Sequence, residues 1–160
     1  MPRRAALFAL AILEFAIAGP ALAQPRITYL QNGLDLRGRC LAAEGDQVAM
    51  RACTRTPGQQ WIATRGDLPG YYKLHTAAGG PGNCLASLPT RGAATVHMMA
   101  CSSAKDQQWS LRTPARRMTI SNRATGATRC LEATQTGFRL TPCSRRQAGH
   151  VWRSDEEPVM

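Results

Sequence analysis

Apolar and polar residues alternate in short runs along most of the chain, and each run ends at residues that favour turns. From Gln47 to Cys53, apolar residues occupy every second position, which is the pattern of a strand with one buried face. Further short strands are predicted over residues 39–43, 60–65, 71–76 and 118–122. Turn-forming clusters separate them, such as Glu44-Gly45-Asp46, Pro69-Gly70 and Gly79-Gly80-Pro81-Gly82. No long amphipathic helix is indicated, so the pattern predicts an all-β sandwich or barrel.

The predicted strands belong to a unit that occurs three times. Each unit has a Cys-Leu pair, a second Cys 13, 17 or 13 residues after the first, and a Trp 8, 8 or 9 residues further on. These landmarks are Cys40, Cys53 and Trp61, then Cys84, Cys101 and Trp109, then Cys130, Cys143 and Trp152. Three repeats in one core-sized chain favour a closed, threefold-symmetric arrangement, and a Trp at one fixed place in each unit favours the core.

The six cysteines predict a disulfide framework. Six cysteines allow about fifteen connectivities, and only pairing within units repeats identically three times. We therefore predict the disulfides Cys40–Cys53, Cys84–Cys101 and Cys130–Cys143. Zinc is the alternative, but no two cysteines are closer than 13 residues and there is no Cys-x-x-Cys motif. No metal site and no cofactor are predicted.

Residues 1–23 have the pattern of a secretory signal peptide. Arg3 and Arg4 precede an apolar stretch from Ala5 to Ala18, and Ala21-Leu22-Ala23 supplies small residues at the cleavage positions. A membrane anchor is disfavoured because the stretch is short and no second span follows. We predict cleavage after Ala23 and a secreted or periplasmic protein.

The length of 160 residues permits one domain or two very small ones and excludes a large two-domain enzyme. We place this domain at residues 24–154, with unit one at about 25–66, unit two at about 67–112 and unit three at about 113–154. An acidic tail, residues 155–160, follows. The chain is expected to be loose from Ser154 onwards.

Arginine dominates the charge of the chain. There are 20 Lys and Arg residues against 10 Asp and Glu, giving a net charge of +10, and only Lys73 and Lys105 are lysines. Arginine suits bidentate contact with carboxylate, sulfate or phosphate. Unit three holds Arg116, Arg117, Arg123, Arg129, Arg139, Arg145 and Arg146. Such a surface fits an acidic glycan; nucleic acid is disfavoured by the predicted export, and solvated, scattered arginines are the remaining interpretation.

A Gln two residues before the Trp makes the repeat specific. Units one and two contain Gln59-x-Trp61 and Gln107-x-Trp109, whereas unit three has His150 in place of the Gln. Cys-Leu, Cys and Gln-x-Trp in this order resemble the ricin B-type lectin domain, over about residues 27–153. The resemblance implies a β-trefoil, in which three hairpins cap a six-stranded barrel and the three tryptophans share the core.

Sugar-binding members of that family use an Asp after Cys-Leu, an aromatic platform shortly before the second Cys, and an Asn before Gln-x-Trp. A carboxylate accepts hydroxyl hydrogens, and an aromatic face covers the apolar side of a sugar ring. This chain departs from the pattern at most of these positions. They hold Ala42, Arg51 and Gly58 in unit one, Ala86, Met99 and Asp106 in unit two, and Glu132, Thr141 and Gly149 in unit three.

Unit three is the predicted place of a surviving sugar site. It keeps the carboxylate of Glu132, with Phe138 and Arg139 on the strand that leads to the second Cys. Unit two offers His97 and Asp106, and unit one is predicted to be structural. In the alternative interpretation, Glu132 pairs with a nearby arginine and Phe138 fills the cap of the hairpin.

No catalytic motif accompanies these residues, so an enzyme is not expected. The sequence favours an exported, non-catalytic, lectin-like module that binds a carbohydrate or glycoconjugate, with partly eroded sites suited to acidic glycans. The alternative is a protein-interaction or cell-binding subunit of a toxin-like complex, because cell-binding subunits of some bacterial toxins resemble this trefoil with eroded pockets. A trefoil protease inhibitor is less favoured, since those trefoils lack the repeated Gln-x-Trp.

Overall fold

A computed structural model describes residues 27–34, 38–89, 94–112 and 117–157, so the predicted signal peptide lies outside the described residues. The described part is all-β, as predicted, with one short 3₁₀ turn per unit, at Pro57–Gln59, Lys105–Gln107 and Ala148–His150. The strands are β1 (Ile27–Asn32), β2 (Arg39–Glu44), β3 (Gln47–Ala52), β4 (Trp61–Arg65), β5 (Tyr72–Thr76), β6 (Asn83–Pro89), β7 (Ala94–Ala100), β8 (Trp109–Arg112), β9 (Thr119–Asn122), β10 (Arg129–Thr134), β11 (Gly137–Pro142) and β12 (Trp152–Glu157).

Six of the strands form a closed barrel. The antiparallel order is β12, β1, β4, β5, β8 and β9, and a bridge between Met118 and Trp152 closes the ring. The other six strands form the hairpins β2–β3, β6–β7 and β10–β11, one in each unit. This arrangement is the expected β-trefoil with pseudo-threefold symmetry.

The repeated tryptophans hold the hairpins onto the barrel. All three are fully buried, and each indole N–H donates a hydrogen bond to the carbonyl of the Leu that follows the first Cys of its unit. The distances are 2.8 Å from Trp61 to Leu41, 2.8 Å from Trp109 to Leu85 and 3.0 Å from Trp152 to Leu131. The predicted core position is confirmed, and the polar edge of each ring explains why Leu and Trp recur together.

The three predicted disulfides are confirmed. Cys40–Cys53, Cys84–Cys101 and Cys130–Cys143 each join the start of a hairpin to the residue that follows its second strand. The first Cys of each pair also lies opposite a barrel residue, and these partners are Gln31, His75 and Ser121. The disulfides therefore lie where each hairpin meets the barrel, and they define equivalent positions in the three units.

Strand β12 extends beyond the domain end expected from the sequence. Residues 154–157 pair with β1, from Ser154 opposite Leu30 to Glu157 opposite Ile27. The expectation of a loose chain from Ser154 is therefore wrong for these four residues. The physical reason is that β1 would otherwise expose an unpaired edge of N–H and C=O groups. Residues 158–160 lie outside the described part of the chain.

Candidate functional site

The outer face of each hairpin carries the positions at which the sequence analysis expects a sugar site. In unit three, Glu132 of β10 lies directly opposite Arg139 of β11, and Thr141 lies two residues further along the same strand. Side chains alternate between the two faces of a strand. Glu132, Arg139 and Thr141 consequently share one face, which we call the unit-three face, while their neighbours in the strands turn towards the core.

A chain of hydrogen bonds fixes the carboxylate of this face. The Thr141 hydroxyl donates to Oε2 of Glu132 at 2.9 Å, and Nε2 of His150 lies 2.7 Å from the same hydroxyl oxygen. On the other side of the ring, Nδ1 of His150 lies 3.3 Å from the Ser144 nitrogen and 3.2 Å from the Ser144 carbonyl oxygen. His150 is fully buried, so the carboxylate is oriented from within the protein.

A carboxylate has no proton to give, so the single hydroxyl proton of Thr141 goes to Glu132. The Nε2–H of His150 then donates to Thr141, whereas its Nδ1 lies within reach of both the N–H and the carbonyl oxygen of Ser144. The three side chains therefore form a network that orients the carboxylate.

One oxygen of Glu132 is left for a ligand. Within the described part of the chain, its Oε1 makes no hydrogen bond or ion pair, and the side chain is 23% exposed. Arg139 opposite it is exposed and has no described partner. The closely packed Gly149 lies beside Glu132, since a Cβ there would come within 3.0 Å of the Glu132 Cγ. The unit-three face thus presents an acceptor and a cation side by side.

His150 replaces a glutamine whose role is structural in the other two units. Gln59 accepts the Thr54 N–H at 2.8 Å and donates to the Ala52 carbonyl at 2.7 Å. Gln107 makes the same two bonds in unit two, to Ser102 and Ala100. His150 keeps the first bond, to Ser144. Its Nε2 contacts the Thr141 hydroxyl in place of the second bond that the glutamines make. The sequence analysis missed this consequence of the substitution.

Phe138 does not belong to the unit-three face. It is 8% exposed and lies in the hydrophobic core with Leu131 and Leu140. Its place in the predicted sugar site is therefore wrong, and the alternative role in the hairpin cap is the one observed. The reason is the two-residue period of β11, which turns Phe138 inward when Arg139 turns outward.

Unit two does not bring its candidate residues into a linked set. His97 lies on β7 opposite Ala86, and it is partly buried where β7 also meets Gln47 of β3. Asp106 lies in the 3₁₀ turn, where its carbonyl accepts a hydrogen bond from Asn122 at 2.7 Å. Among the described residues, no hydrogen bond or ion pair joins His97 to the Asp106 carboxylate.

The corresponding face of unit one is occupied by an ion pair. Arg51 contacts both carboxylate oxygens of Glu44, at 2.7 and 2.8 Å. This contact lowers the pKa of Glu44 and raises that of Arg51. Ala42 offers no acceptor on this face, and the guanidinium of Arg51 is already paired.

Two of the arginines predicted for a charged surface make hydrogen bonds within the fold. Arg123 donates to the Gln108 side chain and Arg129 to the Leu140 carbonyl, both at 3.1 Å. Four others are exposed and have no hydrogen bond or ion pair within the described ranges, namely Arg117, Arg139, Arg145 and Arg146. Arg116 lies outside the described residues. These four arginines therefore remain available as surface cations in the described part of unit three.

The described residues contain no cluster of three or more His, Cys, Asp or Glu side chains suited to a metal ion. In the same ranges, no helix has the length and apolar character needed to cross a membrane. The three disulfides are typical of an extracellular or otherwise oxidising compartment.

The profile described as "Ricin-type beta-trefoil lectin domain-like" matches residues 57–140, just over half of the chain. The chain belongs to this ricin-type lectin-like family. No curated protein matches the chain.

Solved structures support the same fold for this ricin-type chain. The designed threefold protein ThreeFoil has a TM-score of 0.68 at 20% identity, over 80% of this chain and 96% of its own. SeviL bound to the asialo-GM1 saccharide has a TM-score of 0.62 at 16% identity, over 82% and 98%. A mosquitocidal holotoxin has a TM-score of 0.70 at 13% identity, over 86% of this chain and 18% of the toxin. At these identities, the likeness is one of fold.

Proposed function

We propose that this chain is an exported, non-catalytic carbohydrate-binding module whose sugar site is the unit-three face. The observation that carries the proposal is the carboxylate of Glu132, which Thr141 holds in place while its Oε1 stays available. A carboxylate oxygen of this kind accepts hydrogen bonds from sugar hydroxyls. The ricin-type fold and the saccharide complex of a structural neighbour support this assignment.

The preferred ligand is an acidic glycan. Arg139 lies opposite Glu132, and the exposed Arg117, Arg145 and Arg146 lie in the same unit. Guanidinium groups bind carboxylate, sulfate and phosphate in a planar, bidentate manner. A saccharide on the unit-three face would therefore place hydroxyls near Glu132 and an anionic substituent near an arginine. Export is supported by the disulfides and by the signal-peptide pattern of the sequence.

A glycan array with the oxidised protein tests the proposal, at about 0.05 M and about 0.5 M salt. Glu132→Gln removes the charge but keeps an oxygen that accepts the Thr141 bond. We expect this variant to bind its best glycan about tenfold more weakly or worse. The matched control is Glu44→Gln in unit one, whose carboxylate is already paired with Arg51; its binding should stay within about twofold of the unchanged protein. Equal effects of the two substitutions would contradict the assignment of the site.

A second function is favoured by the exposed methionine of unit two. Met99 is 40% exposed at the position where sugar-binding relatives carry an aromatic platform. Methionine is common at adaptable protein-binding surfaces, and the toxin neighbour is much longer than its matched module. We therefore keep a protein-interaction or cell-binding subunit as the alternative. Failure of every glycan on the array, together with a stoichiometric partner that Met99→Glu releases, would favour it.

A further inference from the structure

A cavity of about 440 Å³ opens in unit three, between the barrel and the Cys130–Cys143 disulfide. It is distinct from the unit-three face, because neither Glu132 nor Arg139 lines it. Three arginines and three hydroxyl residues contribute to its wall: Arg112, Arg145, Arg146, Thr119, Ser121 and Ser144. We call it the arginine cavity.

The residues at equivalent positions of the three units differ in size beside the cavity. Ser121 lies opposite the first Cys of its unit, where unit two has His75 and unit one has Gln31. Two residues earlier on the same strands, Thr119 takes the place of Lys73 and Tyr29. Small hydroxyl residues therefore stand where the other units carry large side chains.

Among the described residues, the arginines of the cavity lack the aromatic and acidic partners that arginines have in unit one. In unit one, the guanidinium of Arg55 lies over the Tyr29 ring, 5.2 Å from its centroid. Arg145 follows the second Cys at the same distance along the chain as Arg55, yet Thr119 offers it no ring. No carboxylate of the described residues lies within ion-pair distance of Arg112, Arg145 or Arg146.

The hydroxyl groups of the wall are also without partners. Thr119 and Ser121 line the opening, and neither side chain makes a hydrogen bond within the described part of the chain. Three guanidinium groups and two hydroxyl groups without partners therefore surround one opening, and all of them can donate hydrogen bonds to the oxygens of an anionic group.

We propose that the arginine cavity binds the sulfate or phosphate ester group of a saccharide. Guanidinium and hydroxyl donors both match a tetrahedral oxyanion. The volume lies within the range of small-molecule sites, roughly 300–1,000 Å³, and leaves room for the sugar that carries the ester. The saccharide part of this inference rests on the proposed function, whereas recognition of the anion rests on the cavity alone.

Titration calorimetry on the oxidised full chain tests the inference with galactose, galactose 6-sulfate, galactose 6-phosphate and inorganic sulfate. Either ester should bind more tightly than galactose, and inorganic sulfate should compete with the bound ester. The ester with the higher affinity identifies sulfate or phosphate as the preferred group. Arg145→Gln combined with Arg146→Gln should weaken ester binding about tenfold or more.

Two further variants make the result decisive. Ser121→His copies the residue of unit two, leaves every arginine in place, and should block the ester by filling the cavity. Arg65→Gln with Arg153→Gln removes the same charge from exposed positions outside the cavity and should change ester binding by no more than about twofold. Equal loss in both arginine pairs, or ester binding that survives Ser121→His, would overturn the inference. If Glu132→Gln loses binding of neutral sugars, the result tests the proposed sugar site only. It neither supports nor contradicts recognition of the anion by the arginine cavity.

Discussion

At the scale of single residues, His75 is notable because its polar ring is buried without a hydrogen bond to any described residue. It is 4% exposed, and neither ring nitrogen has a hydrogen-bond partner within the described structure. Burial lowers its pKa below the usual value of 6.5, because desolvation disfavours the charged ring. The equivalent positions in the other two units carry Gln31 and Ser121, which do not titrate.

This burial predicts a loss of stability in mild acid. Above pH 6.5, His75 is neutral in the folded and in the unfolded chain. As the pH falls below that value, the unfolded chain binds a proton that the folded chain does not, so the free energy of unfolding falls. One such proton changes it by at most about 1.4 kcal/mol per pH unit.

Urea unfolding at pH 7.5, 6.5 and 5.5 of the unchanged protein and of His75→Leu measures the effect. The variant should lose less stability than the unchanged protein between the highest and the lowest pH. His97→Leu is the control on β7, and it should follow the unchanged protein. Parallel pH profiles for the unchanged protein and His75→Leu would show that burial of this ring does not control the dependence.

Several residue roles follow from sequence and others do not. The repeated spacing was sufficient to predict the buried tryptophans and every disulfide, because equivalent residues occupy equivalent places. The orientation of Phe138 was mispredicted, although it aligns with Val96 of unit two, which is also buried. The bond from His150 to Thr141 needs two departures from the repeat, a His in place of the Gln and a Thr two residues before the second Cys. Neither departure alone predicts the bond.

At the scale of elements, the alternating pattern predicts the strands to within about a residue or two. The predicted strand over 60–65 is observed as Trp61–Arg65, and that over 71–76 as Tyr72–Thr76. What the pattern cannot reveal is how tightly the 3₁₀ turns contact the hairpins. A Cβ on Gly58 would lie 2.4 Å from the Ala43 carbonyl oxygen, and one on Gly149 would lie 2.5 Å from that of Ala133.

These contacts predict that Gly58→Ala and Gly149→Ala each destabilise the protein. The added methyl group must push the 3₁₀ turn away from backbone, which should cost about 1–3 kcal/mol in free energy of unfolding. Gly82→Ala is the matched control, because a Cβ there meets nothing within 4 Å and the backbone is not left-handed. It should leave stability unchanged or raise it by up to about 1 kcal/mol. Chemical denaturation decides, and equal midpoints for Gly58→Ala and Gly82→Ala would contradict the close contact.

At the scale of the whole molecule, the trefoil separates stability from recognition. The tryptophans, disulfides and 3₁₀ turns repeat in all three units, so they account for the shared architecture. The unit-three face and the arginine cavity arise where unit three departs from that repeat. Such departures are visible in the sequence, but their meaning depends on which substituted positions the fold brings together. Thr119 and Ser121 are examples, since nothing in their local sequence relates them to Arg145.

The two ends of the described chain also meet in this architecture. Strand β12 pairs with β1 over six residue pairs, from Asn32 opposite Trp152 to Ile27 opposite Glu157. The pairing brings unit three against unit one. If β12 ended at Arg153, four of the six β1 residues would lose their partners on this edge. The ladder beyond Arg153 should therefore stabilise the whole barrel and not only the end of the chain.

Removal of residues 154–160 tests this last expectation. It deletes four of the residue pairs with β1. With about one hydrogen bond for each pair, at about 0.5–1.5 kcal/mol for each bond lost, the free energy of unfolding should fall by about 2–6 kcal/mol. The control is removal of residues 158–160, which keeps the ladder to Glu157 complete and should keep the denaturation midpoint. Hydrogen exchange adds a local measurement, since amides of β1 should lose protection in the longer deletion only. Equal midpoints and equal protection in the two deletions would mean that the barrel is already closed by the Met118–Trp152 bridge without the rest of β12.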